Sequence, residues 1–284
     1  MNRLKISMTI AAALALVSCG LDEPIYETAN PQYGTITLIT DWSKMGEGIT
    51  KPANYTIEVG GHKVTANKDK YTIEHLFEEG TYRGYVYNTA EHITVSNGLA
   101  TVGSVNNSST TIEPSPSWFF SASDQVEIKK DTHYEFTAVM RQQIRQLNIE
   151  LTVTDGDINN IQSVTASLSG VANTIDLKTD VCSGVGLKVE PVFTKNGNKF
   201  IASVRLIGLT DEAQNLALDI TYVGGSQEQI TSNMSNQLTG FGTDKHLPMT
   251  LSGSISISES GAIFNSEISG WESQGHISGD ADEQ

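Results

Sequence analysis

The sequence predicts an all-β protein made of two tandem antiparallel β-sandwiches. Three observations lead there. After Gly34, apolar and polar residues alternate with period two through much of the chain, the pattern of strands with one face on a core and one in water. Turn-forming clusters recur between these runs at Gly60-Gly61, Asn97-Gly98, Asn196-Gly197-Asn198 and Gly224-Gly225. No long segment of helical period carries a cap at both ends.

Four runs define the pattern in chain order. Tyr134, Phe136, Ala138 and Met140 share one face of the first. Leu147 to Thr154 alternates without a break. Phe200, Ala202, Val204 and Leu206 share a face of the third, and Leu216, Leu218, Ile220 and Tyr222 a face of the fourth. Strands return about every 10–15 residues, joined by turns rather than crossover helices, which favours antiparallel sandwiches. One sandwich takes about 100 residues, so the body has room for two. The expected boundary lies near Arg141–Ile144, where two alternating runs abut with no turn signal and one strand is expected to pass directly between domains. This gives an N-terminal domain over 34–142 and a C-terminal domain over 143–272, with an acidic, frayed tail over 273–284. Glu113-Pro114-Ser115-Pro116-Ser117 reads as an ordered loop of the first domain, with Trp118-Phe119-Phe120 packed beneath it.

Composition narrows the function. The 284 residues carry 33 acids and 18 Lys and Arg, a formal net charge of -15. Nucleic acid is excluded as a partner, because phosphate contacts need a basic face. A polybasic membrane patch is excluded for the same reason. No apolar run reaches the roughly 20 residues of a membrane-spanning helix.

The opening MNRLKISMTIAAALALVSCG has the layout of a secretory signal. Arg3 and Lys5 precede an apolar stretch from Ile6 to Val17, and small residues precede a cysteine at Ser18-Cys19-Gly20. Leu16-Val17-Ser18-Cys19 resembles the bacterial lipobox, in which the signal (residues 1–18) is cut between Ser18 and Cys19 and the Cys19 thiol carries a diacylglycerol. The competing reading is an ordinary signal peptide with an accidental cysteine. Two or more acyl chains hold a protein firmly at a membrane where one is marginal. Covalent lipid on Cys19 is the only non-protein group expected, with no other cofactor and no metal. Residues 19–33 are polar, contain Pro24 and Pro31, and read as an extended leader holding the body off the membrane. Asp22-Glu23 resembles the acidic signal that sends lipoproteins of the Bacteroidetes to the cell exterior.

No catalytic constellation stands out. His62, His75, His92, His133, His246 and His276 never sit at i, i+3 or i, i+4, and no HExxH or CxxC occurs. Asp155-Gly156-Asp157-Ile158-Asn159 opens like a calcium loop, but Asn160 and Ala166 stand where Gly and Glu are needed, so a turn is the better reading. No G-x-S-x-G is present, and Ser252-Gly253-Ser254 sits inside an alternating strand. Glu78-Glu79 lies beside a turn, where neighbouring carboxylates face opposite ways. With Cys19 lipidated, Cys182 has no disulfide partner and reads as a small buried apolar residue. Trp42, Trp118 and Trp271 are either sugar-stacking platforms or fillers of a core or domain interface, and the second is the commoner fate of large aromatics.

A lipobox ahead of two sandwiches, with Leu76 to Asn88 (LFEEGTYRGYVYN) in the first and Arg145 to Val153 and Val164 to Ala172 in the second, resembles the FimB-type fimbrial anchor lipoproteins, or minor fimbrillins, of Bacteroidetes. The resemblance implies tandem transthyretin-like Greek-key sandwiches on the outer membrane, at the base of a fimbrium. It implies fimbrial stalk or accessory subunits as protein partners, and assembly by strand donation, in which main-chain bonds pair an edge and alternate side chains fill a core. Stalk members lose their leading strand to an arginine-preferring protease. Here residues 20–43 hold no Arg and no Lys; the first basic residue after the signal is Lys44, and the first Arg is Arg83. The leading strand, roughly Gly34–Trp42, is therefore expected to stay in place, with Ala262–Trp271 as the strand donated. The function expected is a non-enzymatic anchor and assembly protein of adhesive fimbriae. The alternative is a surface glycan-binding lipoprotein of a polysaccharide-uptake system, and a surface enzyme ranks third.

Overall fold

The computed structural model describes residues 26–260 and 263–275, of which 259–265 by the backbone alone. Ser18, Cys19, Ala262 and the tail beyond 275 lie outside the described residues. The first strands are β1 (Gly34–Asp41), β2 (Tyr55–Val59), β3 (His62–Ala66), β4 (Lys70–Thr72), β5 (Gly80–Asn88), β6 (Ile93–Ser96), β7 (Leu99–Val102), β8 (Phe120–Ile128) and β9 (Thr132–Val139). Next come β10 (Arg141–Gln142), β11 (Arg145–Asp155), β12 (Ile161–Ala172), β13 (Thr174–Asp176), β14 (Val181–Ser183), β15 (Leu187–Val189) and β16 (Thr194–Asn196). The last are β17 (Lys199–Leu206), β18 (Gly208–Leu209), β19 (Asn215–Tyr222), β20 (Gln227–Asn233), β21 (Met249–Ser260) and β22 (Ile263–Gln274). Among the described residues the only helical pieces are single 3-10 turns at Val105–Asn107 and Ile158–Asn160.

The turn chemistry read from the sequence is realised. Gly60-Gly61 joins β2 to β3, Asn97-Gly98 joins β6 to β7, and Gly224-Gly225 joins β19 to β20. At Asn97-Gly98 both residues have positive φ, 52° and 74°, as a two-residue hairpin of this twist requires. The four alternating runs present their apolar residues inward: Leu147, Leu151, Leu206, Leu216 and Ile220 are all fully buried. Each such side chain contributes about 1.5–3 kcal/mol by leaving water.

In the first sandwich a three-stranded sheet, β4-β1-β9, packs on a five-stranded sheet, β10-β8-β5-β2-β3. Ile36, Leu38 and Ala138 from the one meet Ile57, Val86, Phe120 and Val126 from the other in one core. In the second, β16-β17-β11-β21-β22 packs on β15-β12-β19-β20. Two pairs depart from the antiparallel expectation: β1 with β9, and β11 with β21, are parallel. Each joins strands distant in sequence, so the whole intervening chain serves as the crossover that a parallel pair needs.

The two halves share more than a linker. A small sheet, β14-β13-β7-β6, pairs β7 with β13, bringing residues from both sides of the expected boundary together. Ala90, Ala100, Val102, Ile112 and Phe119 lie in the core cluster of the second sandwich. The Pro114–Ser117 loop is ordered, as expected, but against β17: Arg205 donates its backbone N–H to Pro114 O at 2.8 Å and Nη2 to Ser115 O at 2.9 Å. The passage from β9 to β11 is nearly direct, interrupted at Met140 and at Gln143-Ile144, all of them buried.

Candidate functional site

Three places hold the features a surface-assembly protein would use: the leader's junction with the body, the joint between the sandwiches, and the last strand.

Asp131 sits in the tight β8–β9 turn at φ 53°, a left-handed conformation that Asp tolerates better than most residues. Its carboxylate accepts from Glu27 N at 2.8 Å, Thr28 N at 2.7 Å and Thr28 Oγ1 at 2.9 Å. Its own N–H donates to Tyr33 O at 3.0 Å. The bond from the Glu27 backbone is the first cause holding this carboxyl below the usual carboxylate range. The stretch expected to be a free, extended leader is thus fixed to the body from Glu27 onward. Gly34 then exchanges backbone bonds with Phe77 at 2.8 and 3.0 Å. A Cβ on Gly34 would meet Ile128 Cγ2 at 2.3 Å, so only glycine lets the chain enter here. The expected leading strand is β1, the central strand of its sheet, with Ile36 and Leu38 at 0% exposure. Removing it would open the first core along its length.

Beside the joint stands Arg145, which the sequence reading missed and whose partners all lie in the second half of the chain. It lies in phase with Leu147, Ile149, Leu151 and Val153 at the start of β11, and it is 0% exposed. Nε donates to Leu247 O at 2.8 Å, and Nη1 donates to Gly240 O at 3.1 Å and Phe241 O at 2.9 Å. Nη2 donates to Gly275 O, at the end of β22. The guanidinium also lies 5.4 Å from the Phe241 ring centre. Burial draws its pKa down, and Asp244 opposes that shift. Nearby, Lys245 Nζ donates to Gln143 O at 3.2 Å and Ile207 O at 3.0 Å, while Arg141 pairs with Asp180 at 2.7 Å. Burial lowers the Lys245 pKa in turn.

Among the described residues β22, the strand expected to be donated, is the outermost strand of its sheet and pairs only with β21. Its described end is nonetheless held at several points. Glu228 Oε2 accepts from Ser266 N at 2.6 Å and from the Tyr222 hydroxyl at 2.7 Å, which also meets Ser266 Oγ at 2.6 Å. Burial, first among the causes, pushes the Tyr222 pKa up to about 12. Trp271 packs its ring over Gly253, where a Cβ would lie 3.0 Å from it. Its Nε1 is buried with no hydrogen-bond partner among the described residues.

The tryptophans fill gaps between layers. Trp42 meets Tyr55 and Phe120 edge-on at 6.3 and 5.7 Å and donates Nε1 to Thr40 Oγ1 at 2.9 Å. Trp118 touches both cores and lies under the Arg205 guanidinium at 5.3 Å. All three are half-buried. Cys182 is half-buried against the second core, and burial raises its pKa, which leaves the thiol protonated. Asp157 caps the expected turn by accepting from Asn159 N at 2.8 Å. His62 and His75 stack at 4.7 Å, a pair the sequence spacing did not reveal. No group of three or more metal-ligating side chains occurs among the described residues.

The family described as fimbrillin-A associated anchor proteins Mfa1 and Mfa2 has a sequence model that matches residues 55–274. The fimbrial anchor protein Mfa2 from Porphyromonas gingivalis shares the fold at TM-score 0.56 and 10% identity, over 84% of this chain and 98% of that one. A candidate adhesin from Bacteroides ovatus does so at TM-score 0.60 and 8% identity, over 85% and 96%. A candidate polysaccharide-binding protein from Bacteroides thetaiotaomicron does so at TM-score 0.55 and 11% identity, over 86% and 98%. No curated protein matches the chain in sequence.

Proposed function

The chain belongs to the family of fimbrillin-A associated anchor proteins Mfa1 and Mfa2, and from this premise we propose that it is an outer-membrane lipoprotein that anchors an adhesive surface fimbrium and takes part in its assembly. Its family and fold are those of fimbrial anchor and adhesin proteins rather than of enzymes. The observation that carries the reading is the family match over residues 55–274, which spans strands of both sandwiches. The lipobox at Ser18-Cys19 supplies the attachment, with acyl chains on Cys19 seated in the outer membrane. The absence of Lys and Arg from residues 20–43 supports retention of β1, since a basic-site protease has nothing to cut ahead of it.

β22 is the strand offered to the adjacent fimbrial subunit. Among the described residues its outer edge pairs with no further strand past its contacts with Glu228, so another chain can add to the sheet there by main-chain bonding. Donation in the fuller sense, with β22 leaving β21, requires breaking the Tyr222–Ser266, Glu228–Ser266 and Arg145–Gly275 bonds.

Two variants test this reading. Cys19→Ala should strip acyl mass from the protein and release fimbriae into the medium. Deleting residues 262–284 should leave the lipoprotein in the membrane without normal fimbriae. Fimbriae of normal length, still attached in both strains, would refute the role.

A further inference from the structure

We propose that the end of the first sandwich carrying the β8–β9 turn rests on the lipid headgroup layer, with Tyr26, Tyr33 and Leu76 as its interfacial contacts. The inference deepens the anchor reading and rests on acylation of Cys19. Only residues 20–25 separate Cys19 from Tyr26. Fully extended, that link spans about 24 Å. It cannot lengthen by peeling residues off the body without breaking the three bonds that Asp131 accepts from Glu27 and Thr28. The lipid therefore holds this one end, and no other, close to the membrane.

The surface there suits that position. Tyr26 is 55% exposed, Tyr33 39% and Leu76 38%. The antiparallel bridge between Gly34 and Phe77 joins the two stretches that carry Tyr33 and Leu76, with Tyr33 opposite Glu78 and Leu76 opposite Thr35, and Asp131 brings the leader carrying Tyr26 to the same end. Tyrosine is amphipathic, and its ring and hydroxyl fit a boundary that is apolar on one side and wet on the other. Lys129 and Lys130 lie on the turn itself, but exposed Glu27, Glu78 and Glu79 surround them, so charge attraction to anionic lipid is not the source of the contact. The contact is aromatic and apolar, and hence insensitive to salt.

The test uses the full-length acylated protein in phosphatidylcholine vesicles containing bromine-labelled acyl chains. Tyr26→Trp and Tyr33→Trp are compared with Val223→Trp, which adds a tryptophan at an exposed β19–β20 turn of the second sandwich. The emission added by the first two should be quenched at least twofold, equally at low and high salt, while that added by Val223→Trp should not change. Acyl mass on Cys19 without quenching at either tyrosine position overturns this proposal alone, as does quenching that salt abolishes. Absence of acyl mass on Cys19 overturns the anchor reading and this proposal with it.

Discussion

Replacing Arg145 with Met keeps an unbranched apolar stem in the cavity and removes the guanidinium. Four backbone acceptors then lose their donor: Leu247 O, Gly240 O, Phe241 O and Gly275 O. An unsatisfied buried acceptor costs about 1–3 kcal/mol. Water reaches some of the four, because the 240–248 loop is partly exposed. The expected net loss is about 3–5 kcal/mol, the range seen when one partner of a buried charged network is removed. Arg145→Lys should recover only part of it, because a point ammonium cannot reach four carbonyls spread around a planar fork. Urea unfolding followed by tryptophan fluorescence measures the loss. Hydrogen exchange adds a local readout, with amides of β21 and β22 near Gly275 opening faster than those of β5 and β8. A loss below about 1 kcal/mol for Arg145→Met, or exchange raised evenly through both sandwiches, would refute the view of Arg145 as the clamp that ties the 240–248 loop to the end of β22.

Further predictions concern single contacts. Gly253→Val drives a branched side chain into the Trp271 ring and should lower the urea midpoint, by about 1–3 kcal/mol of overpacking; an unchanged midpoint would mean that the ring moves freely. Tyr222, with its pKa raised to about 12, keeps its proton in the folded protein through a range where the unfolded chain has already lost it. Stability should therefore fall as pH rises from about 10 towards 12, and Tyr222→Phe should remove phenolate absorbance that otherwise appears near pH 12. The Asp131 bonds are intact at neutral pH and should be lost as pH falls through the depressed value of its carboxyl. Asp131→Ala should mimic that loss at pH 7, with faster amide exchange at Glu27 and Thr28 and new protease cuts before Tyr33.

Local physics made much of the fold legible. Period-two alternation located β9, β11, β17 and β19, and glycine and asparagine pairs located the β2–β3, β6–β7, β16–β17 and β19–β20 hairpins, because both signals depend on nearest neighbours alone. The parallel pairs β1–β9 and β11–β21 could not be read this way, since nothing local marks which distant strand completes a sheet. For the same reason β6 and β7 read as part of the first domain, whereas Ala100 and Val102 point into the second core. Arg145 did leave a trace. A cation in phase with four buried apolar residues has to be satisfied internally, and that is a clue to a buried clamp. Asp131 left none, as its partners lie more than a hundred residues away. The readings of Cys19 and of the run free of Lys and Arg ahead of Lys44 rest on short linear sequence alone, and Cys19 lies outside the described residues.

The most direct test of the anchor reading is what the protein holds in its own membrane. A tagged chain purified from native outer membrane in mild detergent, with its bound proteins identified by mass spectrometry, should bring down fimbrial subunits in a high-mass ladder that boiling collapses. Recovery with a TonB-dependent transporter and glycan-binding lipoproteins, and without fimbrial subunits, would contradict the account and turn attention to Trp42, Trp118 and Trp271 as sugar contacts.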